Sequence, residues 1–497
     1  MNRKLVALCA LLVLAPGAVL AQAENCATRS NNTFDKLLDC MTLEEVRAHQ
    51  AALQSIADAN NGIRTSGTTG YDQSASYVRA VLEAAGYAVS EQSFQVQSFI
   101  TLSTPVLEQV APPPTGPIAN SILAYSGSGD VTASVAVLPA PSVDATPGCD
   151  AADFAGFPAG NIALISRGAC TFAIKATNAF NAGAVGVVIY NNAAGVLNGT
   201  LGNTFTLNIG VTSVTQAAGQ LLAATPGLVL RLKTDTFRGL AATTNLLAES
   251  TFGDPNNVIM VGAHLDSVDE GPGINDNGSG VAAILETARQ MALVEPRNKV
   301  RFAFWGAEES GLVGSRHYVE SLSDAERGRI ALYLNFDMIG SPNHVFFIYD
   351  GNDSDGVGAG PGPEGSAAIE QTFERFLTER GIPFKGTDFS GRSDYGPFIA
   401  RGIPSGGLFT GAEGIKTADE AALWGGTAGI AYDPCYHQAC DTYANNNDLA
   451  LDTNAEAVAY AVLKYAMDTS DVNGQKGKGN FKRKGIKVPA FPAPATK

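Results

Sequence analysis

Residues 257–280 read NVIMVGAHLDSVDEGPGINDNGSG, and this stretch decides the fold. Its first six residues are mostly apolar, which is typical of a strand buried in a parallel sheet. A segment rich in glycine and acids follows and leads into a predicted helix from Gly280 to Leu293. In open α/β sheets, ligands gather just beyond the carboxyl ends of the strands. We therefore expect the polar residues between this strand and this helix to belong to a functional site.

The alternation of strand, loop and helix continues from residue 237 to residue 470. The sequence predicts further short, apolar strands at Val300–Trp305, Ile330–Phe336 and Gly402–Phe409. It predicts further helices at residues 311–321, 367–380 and 454–468. This alternation is typical of the α/β class and favours an α/β sandwich.

The rest of the chain divides into regions of different character. Residues 24–105 are mainly helical, and an alternating stretch at 87–99 predicts one strand. In residues 106–236 charge is sparse, prolines cluster and short β-like runs flank one amphipathic helix, so we predict a small, separate, β-rich domain. Residues 237–470 form the second part of the main domain, and residues 471–497 form a basic tail that we predict to be disordered.

The first 23 residues have the pattern of a secretory signal. Arg3 and Lys4 precede an apolar run from Leu5 to Leu14, and a Pro-Gly break leads to Ala21-Gln22-Ala23, a typical cleavage site. A membrane anchor would need about 20 unbroken apolar residues. We therefore predict a secreted protein, extracellular or periplasmic, with no transmembrane anchor.

Six cysteines remain after removal of the signal, which carries Cys9. An even number in an exported chain favours disulfides, although six cysteines allow about 15 pairings. Proximity in the sequence suggests three pairs: Cys26–Cys40, Cys149–Cys170 and Cys435–Cys440. Zinc knuckles are the alternative, but these cysteines form no C-x-x-C pair.

The charge of the chain excludes one broad class of function. The 497 residues include 48 acidic and 33 basic ones, for a net charge of −15. Two basic residues lie in 1–23 and seven in 474–497, so the body between them has 24 basic residues against all 48 acids. Such a body does not suit nucleic acid, whose phosphates need clustered Lys and Arg.

Polar residues follow several predicted strands and a later loop, and they could converge on one site. They are His264, Asp266, Asp276, Glu308, Glu309, Asp337 and His437. Two imidazoles with several carboxylates suit zinc. Each motif alone is weak evidence for a metal site. Glu-Glu pairs usually lie on solvated surfaces, and Asp276 could simply be the first residue of an Asx turn. Their common position after predicted strands favours a metal site.

These residue types also fit one mechanism. Two zinc ions about 3.5–4 Å apart need a bridging carboxylate, further ligands and an open position for water. A nearby carboxylate that is not a ligand can accept the proton of that water and pass it to a leaving amine. The adjacent Glu308 and Glu309 cannot easily share one face of an element, so one is expected to be a ligand and the other the base.

The set of motifs resembles the secreted bacterial leucyl aminopeptidases, dizinc exopeptidases of peptidase family M28. The motifs are His264 with Asp266, Asp276-Asn277-Gly278-Ser279-Gly280, Glu308-Glu309-Ser310-Gly311-Leu312, Asn335-Phe336-Asp337-Met338 and Cys435-Tyr436-His437. The resemblance is strong over 237–470 and loose over 24–105. It implies an α/β/α sandwich with a mixed, mostly parallel central sheet. Residues 106–236, with Gly148-Cys149 and Ile165–Phe172, resemble the protease-associated domain often inserted in these enzymes.

The resemblance also implies roles for individual residues. Asp276 would bridge the metals, His264 and Asp337 would complete one site, and Glu309 and His437 would complete the other. Glu308 would be the general base and acid, and Asp266 would orient His264. Tyr436 would hydrogen-bond the substrate carbonyl, and Arg392 matches a loop position near the substrate amine. The Asp276–Asn277 bond is typically cis in this family.

The sequence therefore predicts a secreted dizinc aminopeptidase. It would remove N-terminal residues, large apolar ones such as leucine, from peptides or proteins by a metal-bridged hydroxide with a Glu base. Alternatives are a carboxypeptidase or dipeptidase on the same scaffold, a one-zinc cyclase, and a binding protein on an inactive peptidase fold. We expect a monomer. A structural calcium at Asp448 and Asp452 is an alternative to two solvated acids, which we favour.

Overall fold

The computed structural model of the chain describes residues 25–140, 142–193, 195, 197, 199–358 and 360–474. The predicted export signal and most of the basic tail lie outside the described residues. The first residues assigned to that tail belong to a short helix, Ser470–Asn473, so the predicted disorder does not extend to them.

The strands, numbered in chain order, vary in length from two residues to 24. They are β1 (Ala88–Ala111), β2 (Gly116–Pro117), β3 (Ser121–Ile122), β4 (Gly129–Val137), β5 (Ile162–Ser166), β6 (Gly186–Tyr190), β7 (Gly210–Val214), β8 (Val229–Glu249), β9 (Asp254–His264), β10 (Asn298–Trp305), β11 (Ile330–Phe336), β12 (Phe347–Tyr349), β13 (Lys385–Thr387) and β14 (Ser405–Phe409).

The helices are numbered in the same way. They are α1 (Phe34–Leu38), α2 (Leu43–Ala59), α3 (Thr69–Ala84), α4 (Phe172–Asn181), α5 (Gln216–Ala223), α6 (Gly278–Met291), α7 (Val313–Ser321), α8 (Asp324–Arg327), α9 (Ser366–Glu379), α10 (Tyr395–Ile399), α11 (Ala418–Trp424), α12 (Asp448–Met467) and α13 (Ser470–Asn473). Within the described part of the chain, none of them is long and apolar enough to cross a membrane.

The described residues form two compact units. The first unit combines residues 25–94 with 243–474, and the second comprises residues 95–242. The chain leaves and re-enters the first unit within β1 and β8. At that point the two strands are neighbours, because Asn245 donates a hydrogen bond of 3.0 Å to the side chain of Gln92. The boundaries predicted near residues 106 and 236 fall inside these long strands.

The sheet of the first unit has β9 at its centre. Strands β10 and β11 flank β9 and run parallel to it, and β14 runs parallel to β11. The edges include antiparallel pairs, β8 with β10 and β12 with β14. This arrangement confirms the predicted mixed, mostly parallel sheet.

Two apolar cores cover the two faces of this sheet. Successive side chains of a strand point to opposite faces. Ile259 and Val261 pack in a core with α6 and α12, whereas Val258 and Met260 pack in another core with Phe398 of α10. Both faces are therefore covered by helices, which confirms the α/β/α sandwich.

Helix α2 begins directly after a threonine that caps it. Thr42 has an extended backbone, and its hydroxyl accepts a hydrogen bond from the Glu45 amide. An N-cap of this kind satisfies one of the first helical N–H groups, which have no partner within the helix. Val46, Leu53 and Ala57 then recur at helical spacing and are fully buried.

The second unit has its own sheet and core. Strands β4, β5, β6 and β7 pair in parallel, in that order, and β3 adds an antiparallel edge. Residues 229–234 of β8 pair antiparallel with β4. The unit is β-rich, as predicted, and α4 lies between β5 and β6 in the chain.

The structure forms the three disulfides that proximity in the sequence suggested. They join Cys26 to Cys40, Cys149 to Cys170 and Cys435 to Cys440. Each closes a short loop, for which the chain-entropy model gives about 2–3 kcal/mol of stability.

Candidate metal centre

Three neighbouring parallel strands deliver candidate ligands to one edge of the sheet. His264 is the last residue of β9, Glu308 and Glu309 follow β10, and Asp337 follows β11. Because these strands are parallel neighbours, their carboxyl ends meet. The location is the one expected for a ligand site in an α/β sheet.

A close contact between α6 and the end of β11 brings Asp276 to the same place. A Cβ at position 280 would lie 2.2 Å from the carbonyl oxygen of Phe336, so only glycine allows this approach. The Asn277 amide donates a hydrogen bond of 2.9 Å to the same carbonyl. The Asp276–Asn277 peptide bond is cis, as the family resemblance implies.

The carboxylate of Asp276 lies between two imidazoles. Its Oδ1 is 3.1 Å from Nε2 of His264, and its Oδ2 is 3.2 Å from Nε2 of His437. Each imidazole also contacts a second carboxylate. Oδ1 of Asp337 is 3.3 Å from Nε2 of His264. Oε2 of Glu309 is 3.2 Å from Nε2 of His437. The two halves are therefore nearly equivalent and share Asp276.

This donor set fits zinc. Two ligands that each lie about 2.0–2.1 Å from a tetrahedral zinc ion are about 3.3 Å apart. The contacts of 3.1–3.3 Å within each half match that separation. The groups His264, Asp276, Asp337 and Asp276, Glu309, His437 each place three ligand atoms within 4.8 Å of one another. Imidazole nitrogens with carboxylate oxygens are also ligands that zinc prefers.

Asp266 holds the surrounding groups in place. Its carboxylate accepts hydrogen bonds from the backbone N–H groups of Glu308, at 3.2 Å, and Glu309, at 3.3 Å. Its backbone oxygen lies 3.1 Å from Nδ1 of His264 and its carboxylate 3.6 Å from the same atom. Since a carbonyl oxygen can only accept, Nδ1 carries the hydrogen and the lone pair of the neutral ring is on Nε2.

Glu308 is buried beside these groups. Its side chain, with those of His264 and Glu309, forms a further set whose oxygen or nitrogen atoms lie within 4.8 Å of one another. Only 2% of Glu308 is exposed. A carboxylate this close to both ligand pairs can exchange a proton with a molecule bound there.

Without metal, the acids and imidazoles of the site control one another's ionisation. Burial raises the pKa of Asp276, but contacts with His264 and His437 outweigh burial and hold that pKa below its usual range. Burial lowers the pKa of His437, but Glu309 and Asp276 outweigh it and raise the pKa to about 10. The metal-free site therefore balances its carboxylates with protonated imidazoles.

Known proteins place the chain in a family. Residues 245–462 match Peptidase family M28, and residues 131–222 match the PA domain. An aminopeptidase of Pseudomonas aeruginosa is 47% identical over 448 residues, which cover 88% of this chain and 83% of the relative. The chain belongs to Peptidase family M28.

Other M28 relatives and neighbours agree. Leucine aminopeptidase 2 of Trichophyton equinum is 41% identical over 441 residues, which cover 87% of this chain and 86% of the relative. The structure of a zinc aminopeptidase from Bacillus subtilis has a TM-score of 0.62 and 25% identity, and the match covers 85% of this chain and 94% of that one. The matches to the two family models confirm the predicted family and the predicted PA domain. The predicted enzyme class is confirmed because these relatives are aminopeptidases.

The M28 centre is bordered by the predicted substrate-side residues. The ring of Tyr436 stacks on His437 with the ring centres 3.9 Å apart. The Tyr436 hydroxyl accepts a hydrogen bond of 3.2 Å from Arg392, whose other nitrogen donates to Glu413 at 2.7 Å. Arg392 and Tyr436 therefore lie together at the edge of the metal centre.

Several residues of this M28 site were missed in the sequence. Ser393 donates a hydrogen bond of 2.5 Å to Oδ2 of Asp337. The fully buried Arg64 donates to the carbonyl oxygens of Leu265, Pro272 and Gly273, and so ties together both ends of the loop after β9. No sequence motif distinguishes Arg64, which lies about 200 residues before its partners.

Three buried acids near the M28 centre were also missed. Burial, opposed by His264, raises the pKa of Asp394 to about 7. Burial and the nearby Asp433 raise the pKa of Asp441 to about 7. Two other histidines lie in different surroundings: His49 contacts Tyr77 and Glu286, and His317 lies against Phe94.

Proposed function

We propose that this protein is a secreted dizinc aminopeptidase. It removes N-terminal residues, large apolar ones such as leucine, from peptides and proteins. The observation that carries the proposal is the position of Asp276, whose two carboxylate oxygens each face a different imidazole. The aminopeptidases among the relatives support the reaction, and Leucine aminopeptidase 2 supports the side-chain preference.

In this proposal the residues divide between two metal positions. His264, Asp276 and Asp337 would hold one zinc ion, and Asp276, Glu309 and His437 would hold the other. When bound, zinc polarises the scissile carbonyl and lowers the pKa of a water molecule. Asp266 keeps His264 in the tautomer that presents Nε2 and fixes the backbone of Glu308 and Glu309.

Glu308 is the general base and acid of the proposed reaction. Its carboxylate accepts the proton of the attacking water and passes it to the nitrogen of the leaving peptide. Both proton transfers need a carboxylate that contacts the reacting atoms and does not itself coordinate a metal ion. The burial of Glu308 beside both ligand pairs supports this role.

Tyr436 and Arg392 act at the substrate side. Tyr436 donates a hydrogen bond to the substrate carbonyl, where negative charge develops during attack. Arg392 is a cation and does not suit direct contact with a protonated amine. Its hydrogen bond to the Tyr436 hydroxyl supports a role through that residue, whose orientation it fixes.

The remaining parts of the proposal concern the whole chain. The three disulfides support export to an oxidising compartment after removal of residues 1–23. The domain plan is a peptidase domain in two parts, 24–105 and 237–470, around a protease-associated domain at 106–236 that selects substrates, with a tail from residue 471. A monomer remains our expectation, and a calcium ion at Asp448 and Asp452 remains the less favoured alternative.

An assay of paired substrates tests this function. We expect the zinc-loaded protein to hydrolyse leucine anilide and leucyl peptides, and to lose this activity when the N-terminus is acetylated or when zinc is chelated. Cleavage of N-acetylated peptides from the carboxyl end would indicate a carboxypeptidase. A requirement for both free termini would indicate a dipeptidase. Absence of turnover with zinc bound would favour the binding-protein alternative.

A further inference from the structure

The loop that presents Tyr436 and His437 is held at both ends by buried carboxylates without a role in the proposed mechanism. Asp433 lies two residues before Cys435, and Asp441 directly follows Cys440. They are 1% and 2% exposed. Burial of a carboxylate is costly unless hydrogen bonds compensate it. The partners of these two acids therefore indicate what they hold in place.

Asp441 binds the backbone that carries the shared ligand Asp276. One carboxylate oxygen accepts a hydrogen bond of 2.8 Å from the Asn275 N–H, and the other accepts one of 3.0 Å from the Asp276 N–H. The backbone oxygen of Asp441 accepts a third from Ile274, at 3.1 Å. The end of the His437 loop is thus joined directly to the segment of Asp276.

Asp433 makes a parallel connection at the start of the loop. It accepts hydrogen bonds from the side-chain amide of Asn275, at 2.7 Å, and from the backbone N–H of Cys435, at 2.8 Å. The side-chain amide of Asn445 then donates to both acids, at 2.9 Å to Asp433 and 3.2 Å to Asp441. We call Asn275, Asp433, Asp441 and Asn445 the carboxylate clamp.

The contacts that orient the side chains of His264 and Asp337 do not involve the clamp. Asp266 orients His264, and Ser393 donates a hydrogen bond to Asp337. The clamp connects the segment of Asp276 to the loop of His437. A change in the clamp should therefore alter the Asp276–His437 spacing more than the His264–Asp337 spacing.

We propose that Asp433 and Asp441 are positioning residues that fix the spacing of Asp276 and His437 and so set the affinity of the zinc ion held by His437 and Glu309. The identity of that metal rests on the proposed function. The clamp acts through the ligands and touches neither substrate nor reacting atoms. Replacement of Asp441 by Asn would lose one accepted backbone hydrogen bond, since the amide group donates where the carboxylate accepted.

The test measures zinc binding as well as activity in the full chain. Asp441→Asn and Asp433→Asn are compared with the wild type and with Asp419→Asn, which removes an exposed acid of α11. Metal-free proteins are titrated with zinc against a competing chelator. Because Asp276 is shared, both ions can respond, but we expect the ion held by His437 and Glu309 to bind about 10–100-fold more weakly in the two clamp variants and the other ion to be affected much less. The control should match the wild type for both ions.

Kinetics separate positioning from general damage. With zinc near stoichiometric amounts, kcat on leucine anilide should fall in the clamp variants while KM changes little, and excess zinc should restore much of kcat. Circular dichroism and Tm of the metal-free proteins check the fold. Asn445→Ala, which keeps both carboxylates but removes their common donor, provides a second variant and should show the same selective loss.

Two results would overturn the inference. One is that the folded variants bind both zinc ions as tightly as the wild type, and the other is that both ions are weakened equally. A wild-type protein that binds two zinc ions without cleaving peptides would contradict the proposed function alone, because the clamp is judged by zinc affinity.

Discussion

Glu308 and Glu309 are neighbours in sequence, yet the site gives them different surroundings. Glu309 Oε2 lies 3.2 Å from His437 Nε2, within one ligand pair. Glu308 is turned toward His264 and is buried, while Asp266 holds the backbone of both residues. The two carboxylates can therefore perform different tasks although they differ little in chemistry.

Replacement of Glu308 tests the proton transfer. Glu308→Gln keeps the size of the side chain but removes its ability to accept a proton. We expect kcat on leucine anilide to fall about 10²–10⁴-fold, a typical loss for a general base, with zinc content unchanged. Glu320→Gln, on the exposed face of α7, is the matched control. Near wild-type turnover by Glu308→Gln would rule out the assigned role.

Zinc affinity should depend on pH through the imidazoles. Acidic neighbours raise the pKa of His437 to about 10 in the metal-free protein, and that of His264 lies well above its usual value. Below these values the rings are protonated, so zinc must displace protons, and affinity falls as pH falls. We expect a loss of about tenfold per pH unit for each proton displaced. Zinc titration between neutral and mildly acidic pH measures the slope, and a pH-independent affinity would contradict it.

For single residues, the sequence predicted which side chains come together and that Asp266 orients His264, but it did not predict the other residues that hold them. The candidate ligands could be predicted because each follows a recognisable strand or belongs to a recognisable motif. Ser393, Arg64 and the clamp acids contact the site across separations of 56 to about 200 residues. Such contacts exist only after the chain has folded, and local patterns do not encode them.

Among the elements, the loop closed by the Cys435–Cys440 disulfide carries His437 of the candidate metal centre. We expect the double variant Cys435→Ser, Cys440→Ser to lose about 2 kcal/mol of stability, from the entropy of a short loop, and to bind the zinc of His437 more weakly. Thermal unfolding and zinc titration measure the two effects. Removal of Cys26–Cys40 by the same substitutions is the control, and it should lower Tm while zinc affinity stays unchanged. Equal zinc affinity in both double variants would contradict the prediction.

The accuracy with which the bounds of strands and helices were predicted depended on how deeply each element is buried and on how it is capped. Strand β11 was predicted with its observed bounds, because every one of its residues is buried and most are apolar. Strand β10 was predicted within two residues from its buried end, Phe302–Trp305, although Lys299 and Arg301 are only partly buried. Helix α12 begins at Asp448, six residues before its predicted start, since the side chain of Asn447 caps it by accepting a hydrogen bond from the backbone N–H of Ala450. The long strands β1 and β8 have irregular burial along their length, and the alternation expected of a strand is visible only in parts of them.

For the whole molecule, zinc binding should stabilise the fold. A ligand that binds only the native state adds about 2.7 kcal/mol at a free concentration of 100 times its Kd. We expect Tm to rise with zinc and to fall with a chelator. In the variant Asp276→Asn, which changes the candidate ligand shared by both halves of the site, Tm should change much less with zinc. A Tm independent of zinc in the wild type would contradict a metal held by these buried ligands.

The net charge of the whole chain excluded nucleic acid but could not identify a reaction. Most of the 48 acids lie outside the metal centre. Four carboxylates and two imidazoles carry the proposed chemistry, and the excess of negative charge elsewhere contributes to solubility. The enzyme class was predictable from the arrangement of a few residues rather than from the net charge of the chain.

The neighbouring positions of Gln92 and Asn245, where the chain leaves and re-enters the first unit, have a consequence for evolution. A chain without residues 95–242 would need only a tight turn to join the two strands. An ancestral gene could therefore gain, lose or exchange the inserted segment without rebuilding the strands that end at the candidate metal centre. The inserted segment and the peptidase domain can then evolve as separate parts of one gene.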